Sequence, residues 1–153
     1  MLLFSGCQET LGMESGVISD ARISASSAHP VHPVAHQGRL NFQETSVKPG
    51  AWVAATNDVN QWLQVDMGNQ STTVARVATQ GRHYSQWPYG RHSQWITKYK
   101  LQYSDDGVNF RYYREQGQTT DKVKVLRFSN VLIAEDIELS KRHITLLKCK
   151  RLN

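Results

Sequence analysis

The densest chemistry in the chain lies in Thr79–Trp95, which reads TQGRHYSQWPYGRHSQW. Two Arg-His pairs, Arg82-His83 and Arg91-His92, stand there among Tyr84, Trp87, Tyr89 and Trp95. A core would reject the charges, and a plain solvated loop has little use for so many rings. A guanidinium offers a planar fork to a carboxylate, sulfate or phosphate, while Trp and Tyr stack on the apolar face of a sugar or enter a lipid interface. The pattern therefore suits binding rather than catalysis. For Arg82 two roles stand side by side: a ligand contact, or a brace that pairs with an acid such as Asp58 to hold neighbouring loops. Trp62 and Trp95 read as core or sheet-packing rings.

A second cluster, His29, His32 and His36, places three imidazoles within eight residues. Local zinc sites use such spacing, but Pro30 and Pro33 keep the segment extended and it holds no cysteine or carboxylate. A solvated, pH-responsive loop is the expectation, with no metal ligated there. Catalytic constellations are missing. The chain has no Gly-x-Ser-x-Gly elbow, no Gly-rich phosphate cradle and no His-Glu-x-x-His, so no enzyme is expected.

The elements that must position these residues follow a period of two. Ala21, Ile23 and Ala25 alternate with Arg22, Ser24 and Ser26; Leu63, Val65 and Met67 alternate with Trp62, Gln64 and Asp66; Tyr99, Leu101 and Tyr103 alternate with Lys98, Lys100 and Gln102. Each reads as a strand with one buried face. Val74–Thr79 is a further β-branched run, and Ser104-Asp105-Asp106-Gly107 ahead of Val108–Tyr113 reads as a hairpin. No helical period is convincing before residue 117. The class is all-β, antiparallel strands in two packed sheets. Three long loops interrupt it, over 28–38, 41–60 and 79–95, and all four prolines fall within them. Proline restricts φ and suits shaped loops better than slack ones.

At 153 residues the chain fits one domain plus a tail, and 39% hydrophobic with 20% charged residues is ordinary for a globular protein. No apolar run approaches the roughly 20 residues that span a bilayer. The net charge of +5 is unevenly placed: residues 1–116 hold 10 Lys+Arg against 9 Asp+Glu, and residues 117–153 hold 8 against 4. With a near-neutral body and no aromatic-laced basic face, no nucleic-acid partner is expected. Cys7 and Cys149 either close nearly the whole domain in one disulfide, which needs an oxidising compartment, or are two unrelated thiols. Asn69-Gln70-Ser71 is an N-glycosylation acceptor that favours export. Residues 1–6, Met-Leu-Leu-Phe-Ser-Gly, lack the charge and apolar length of a signal peptide and read as a leader remnant.

Seven blocks in order resemble the discoidin domain, also called the coagulation factor 5/8 C-type domain. They are Cys7–Gly16, Ile23–Ser27, Arg39–Asn41, Trp52–Asp58, Gln61–Gly68, Ala78–Arg82 and Tyr99–Gly107. The resemblance covers residues 7–117 and implies a jelly-roll β-sandwich whose loops at one end form ligand-binding spikes. Beyond it, residues 118–153 form a divergent basic tail without the family's Phe-x-Gly-Asn segment or its closing Arg-x-Glu-Leu-Tyr-Gly-Cys type motif. The closing strands are accordingly expected to be missing, replaced or supplied by that tail.

The resemblance also implies a function: a non-catalytic extracellular recognition and adhesion module, lectin-like, secreted or cell-surface as part of a larger protein. Polar and charged residues between the spikes would read a cell-surface or matrix glycan or glycoprotein, which makes His36, Trp52, Asp58, Arg82, His83, Trp87, Tyr89, Arg91 and His92 the candidate contacts. The alternatives are anionic phospholipid and collagen or another protein. Lipid binding would use Val31, Val34, Trp87 and Tyr89. Burying two valines contributes on the order of 3 to 6 kcal/mol before ordering costs, which equips this chain poorly for a membrane. Collagen-binding relatives share the residue corresponding to Arg82 but carry a first-loop Trp that has no counterpart between Ala28 and Gly38. No cofactor is implied apart from the structural calcium that some members hold with carbonyls and Asp.

Overall fold

The computed structural model describes residues 11–31, 34–45, 50–68, 72–82, 94–125, 133–141 and 143–151, with side chains described up to residue 123. Among these residues eight strands form two antiparallel sheets: β1 (Ile23–Ala25), β2 (Trp62–Asp66), β3 (Thr72–Thr79), β4 (Ile96–Ser104), β5 (Arg111–Tyr112), β6 (Val123–Val125), β7 (Ile133–Lys141) and β8 (His143–Arg151). The larger sheet runs β1-β2-β8-β4-β5, with β6 also on β4, and β3 pairs with β7 in the smaller one.

Alternation sets which face is buried. Along β4, Thr97, Tyr99 and Leu101 point inward and are buried, while Lys98 is exposed. In β2, Leu63 is buried, and Val65 joins Ile18, Ile23 and Leu63 in one half of the core. Val74 and Leu101 centre the other half, and Met67 packs against both. Each fully buried aliphatic side chain contributes about 1.5 to 3 kcal/mol, so this seam between the sheets is what fixes the strand register.

Two strand boundaries differ from the sequence expectation. Residues Asp20–Arg22 form a 3-10 turn in which the Arg22 N–H donates to the Ser19 carbonyl at 3.0 Å, so the first strand begins only at Ile23. The hairpin after Ser104 does not resume as a strand at Val108. The Asp106 carboxylate accepts the N–H groups of Val108 (2.9 Å) and Asn109 (2.7 Å), together with the Ser104 hydroxyl. Those bonds hold 105–109 as a turn, in which Gly107 takes φ 72, and strand pairing waits until Arg111.

The tail enters the sheets as backbone. β7 runs antiparallel to β3 from Thr72↔Lys141 to Thr79↔Ile133. β8 lies between β2 and β4, with Leu63↔Leu146 on one side and Leu101↔Leu146 on the other. A strand between two partners satisfies its N–H and C=O groups on both edges, which removes the open edges that absent closing strands would leave.

Candidate functional site

The three long loops all leave one end of the sandwich: the first two between β1 and β2, the third between β3 and β4. Their stems are tied to one another by side-chain and backbone hydrogen bonds. Trp52 Nε1 donates to the Ser27 carbonyl at 2.8 Å, His29 N to the Val53 carbonyl at 2.8 Å, and Ala55 N to Ser27 Oγ at 3.1 Å. The first loop is thereby laid along the second. Gly38 closes the base of the first loop, where a Cβ would meet Leu63 Cδ2 at 2.8 Å and Trp52 Cβ at 3.3 Å. Any side chain at 38 would crowd the Leu63 methyl and the Trp52 Cβ at the core edge.

Gln61 is the hub of this joint. It is buried, accepts the hydroxyls of Ser26 (2.8 Å) and Ser27, and donates through Nε2 to Thr56 Oγ1 (2.8 Å) and to Asp58 (2.9 Å). A buried amide with both ends engaged avoids the penalty of an unmade bond. The signal for it was in the alternation: Gln61 has the parity of Leu63 and Val65 and therefore points inward.

A second joint links the second and third loops. Arg82 is 6% exposed, and its Nη2 lies 3.4 Å from Glu44 Oε2 while Nη1 lies 3.4 Å from Gln94 Oε1. The Arg82 N–H donates to the Gln94 carbonyl at 2.8 Å, which closes the mouth of the third loop. Nearby, Asn41 N donates to Gln80 Oε1 at 3.0 Å. Of the two roles the sequence offers Arg82, its surroundings are those of the brace, and the acid is Glu44. Asp58 is engaged instead by Thr56 Oγ1 (2.6 Å), Asn60 N (2.7 Å) and Gln61. Glu44 and Gln94 carry no local motif, so nothing in the sequence singled them out.

The other candidates divide by position. His36 is half-buried on the 3-10 turn Ala35–Gly38, 3.6 Å from Asp20 and edge-on to Phe42 at 6.3 Å between centroids. Its neighbour Arg39 binds Asp20 at 2.6 Å and the carbonyls of Met13 and Ile18, which fastens the segment before β1 under the first loop. Val31 is 65% exposed and Val34 half-buried. His83, Trp87, Tyr89, Arg91 and His92 lie outside the described residues, as do Cys7, Asn69 and His32; Cys149 falls in β8, where only the backbone is described. Among the described residues no three His, Cys, Asp or Glu side chains gather into a metal cluster.

The geometry is a loop end held together by tertiary contacts. The sequence matches the F5/8 type C domain over residues 22–144. The chain belongs to this family. It is 40% identical over 124 residues to rat lactadherin, covering 77% of this chain, and it spans 26% of that relative's length. Among solved structures, wild-type discoidin II of Dictyostelium discoideum superposes with TM-score 0.68 at 22% identity, covering 86% of this chain and 49% of that one. The family 32 CBM of C. perfringens NanJ, solved with galactose, superposes with TM-score 0.61 at 15% identity, covering 89% and 88%. These likenesses establish the jelly-roll fold of the F5/8 type C domain. Most of β8 lies beyond the matched region, which ends at Ile144.

Proposed function

We propose that this F5/8 type C domain is a non-catalytic extracellular recognition module whose three-loop end reads a cell-surface or matrix glycan. The observation that carries the reading is the pair of joints, Gln61 between the first and second loops and Arg82–Glu44 between the second and third. Stems fixed before a ligand arrives reduce the ordering cost of binding, and preorganised side chains are what a weakly apolar, polyhydroxylated guest requires. Trp87, Tyr89, Arg91 and His92, in the sequence between those stems, are the residue types that would provide ring faces and donors for such a guest. The galactose carried by a module of the same fold supports the choice of ligand class. The Asn69 acceptor supports an exterior location.

A glycan array probed with the wild-type domain and with Trp87→Ala tests this. Loss of signal at unchanged melting temperature supports the site; equal signal in both proteins removes it. The second reading, attachment to anionic membranes, rests on Val31, which stands 65% exposed on the first loop. Sedimentation with phosphatidylserine vesicles, abolished by Val31→Asp, would favour it over the glycan.

A further inference from the structure

The opposite end of the sandwich carries a cleft that the loops play no part in. Tyr103, Phe110, Arg111, Tyr112 and Arg114 line a space of about 410 Å³ beside the short edge strand β5. The Asp106 turn builds it by throwing the chain outward before Arg111–Tyr112 returns to pair with Gln102–Tyr103. From Trp95 to Tyr103 is eight residues of nearly extended chain, about 26 Å at 3.3 Å per residue. No single sugar ring spans that distance, so the cleft is separate from the loop end.

Its chemistry is cationic and aromatic. Lys100 lies 4.7 Å from the centroid of the Tyr112 ring, and that ring also borders the cleft. Lys100 and Arg114 share one carboxylate, Asp121, at 2.9 and 3.1 Å. Arg111 is exposed and has no ion-pair partner among the described residues. Lys100 and Arg114 thus share one acid beside the cleft, and Arg111 adds a third cation; of the acids close in sequence, Asp106 is engaged by its own turn, Glu115 is paired with Lys122, and Asp105 is exposed on that turn. Recognition here falls to ring faces and guanidinium forks, which together fit a sugar ring bearing a carboxylate or sulfate.

We propose that the Tyr103–Arg114 cleft is a second binding site, for an acidic saccharide. Arg111 holds the anionic group, Arg114 assists it, and Tyr112 stacks against the ring. The inference is independent of what the loop end binds.

Calorimetric titration of the domain with a heparin-derived hexasaccharide tests it. Binding should weaken about tenfold or more in Arg111→Ala, as expected for loss of a charge-assisted bond, and in Tyr112→Ala, and should be unchanged in Trp87→Ala. Arg111 and Tyr112 are both exposed, so thermal melting should stay at the wild-type value in Arg111→Ala. The proposal is overturned if the wild type does not bind the hexasaccharide, if Arg111→Ala binds it equally well, or if Trp87→Ala abolishes binding. It is equally overturned if a tyrosine-sulfated peptide binds through Arg111 while the hexasaccharide does not.

Discussion

The two ends of this sandwich are held by opposite kinds of contact. At the loop end the decisive bonds join residues far apart in the chain: Ser26 to Gln61, Trp52 to Ser27, Arg82 to Glu44 and Asn41 to Gln80. At the other end the Asp106 carboxylate is satisfied almost at home, by Ser104, Val108 and Asn109. A local turn can form whenever its few residues meet, because little loop-closure entropy opposes it. The loop joints exist only after the strands that carry them have met. Shape at the loop end is therefore a consequence of the whole fold, whereas shape at the turn end is written into six residues.

That contrast can be broken by removing the joints one at a time. Arg82→Ala leaves Glu44 and Gln94 without their shared guanidinium in a nearly buried site, and should lower stability by about 3 kcal/mol in urea titration. A loss below about 1 kcal/mol would mean that the second and third loops stand independently. Gln61→Ala removes an inward amide from Ser26, Ser27, Thr56 and Asp58, with an expected loss of about 2 kcal/mol. Hydrogen exchange should quicken at His29 and Ala55 in that variant while Val108 and Asn109 stay as they were. Trp52→Phe keeps most of the ring but deletes the bond to the Ser27 carbonyl, for about 1 kcal/mol by the same titration. The effect at the turn end should be smallest and should show itself through pH.

Hydrogen bonds from the Asn109 backbone and side chain, and then from Val108 and Ser104, hold the Asp106 carboxyl well below its usual 3.8. Asp121 is lowered too, chiefly by its hydrogen bond to Lys100. A carboxyl depressed by folding binds fewer protons in the native than in the unfolded chain. Its stabilisation is thus complete above about pH 4 and declines as acid carries the pH down through the folded pKa. Melting temperature followed from neutral pH to about pH 2 should fall more gently in Asp106→Asn than in the wild type, since the substituted turn has no carboxylate to protonate. Parallel acid profiles for the two proteins would show that the turn does not depend on that charge.

Most of the sandwich was legible as a period of two. Leu63, Val65, Tyr99 and Leu101 announced their faces by alternation, because a pleated strand sends successive side chains to opposite sides. The same parity would have exposed Gln61, had a polar residue been allowed on an inward face. The family blocks gave the loop end its place. Legibility fell where a contact has no local signature. For Arg82 the sequence offers an acid such as Asp58, yet Glu44 from the far arm of the same loop meets it. Val108–Tyr113 reads as a longer strand than forms, because its residues do not reveal that an aspartate upstream captures the amides of Val108 and Asn109. Residues 118–153 lacked the expected closing motif, and the positions of β7 and β8 rest on backbone pairing.

By itself the sequence determined the class of fold, the inward face of each central strand and the long stretches where the chain must leave the sheets. These follow from periodicity and turn chemistry, which act over a few neighbouring residues. Tertiary structure alone decided which acid meets Arg82, that Gln61 joins two loops, that β8 lies between β2 and β4, and that Arg111 and Arg114 come to border one cleft. Such pairings depend on distances between segments that are remote along the chain, and those distances are set only when the hydrophobic seam has closed.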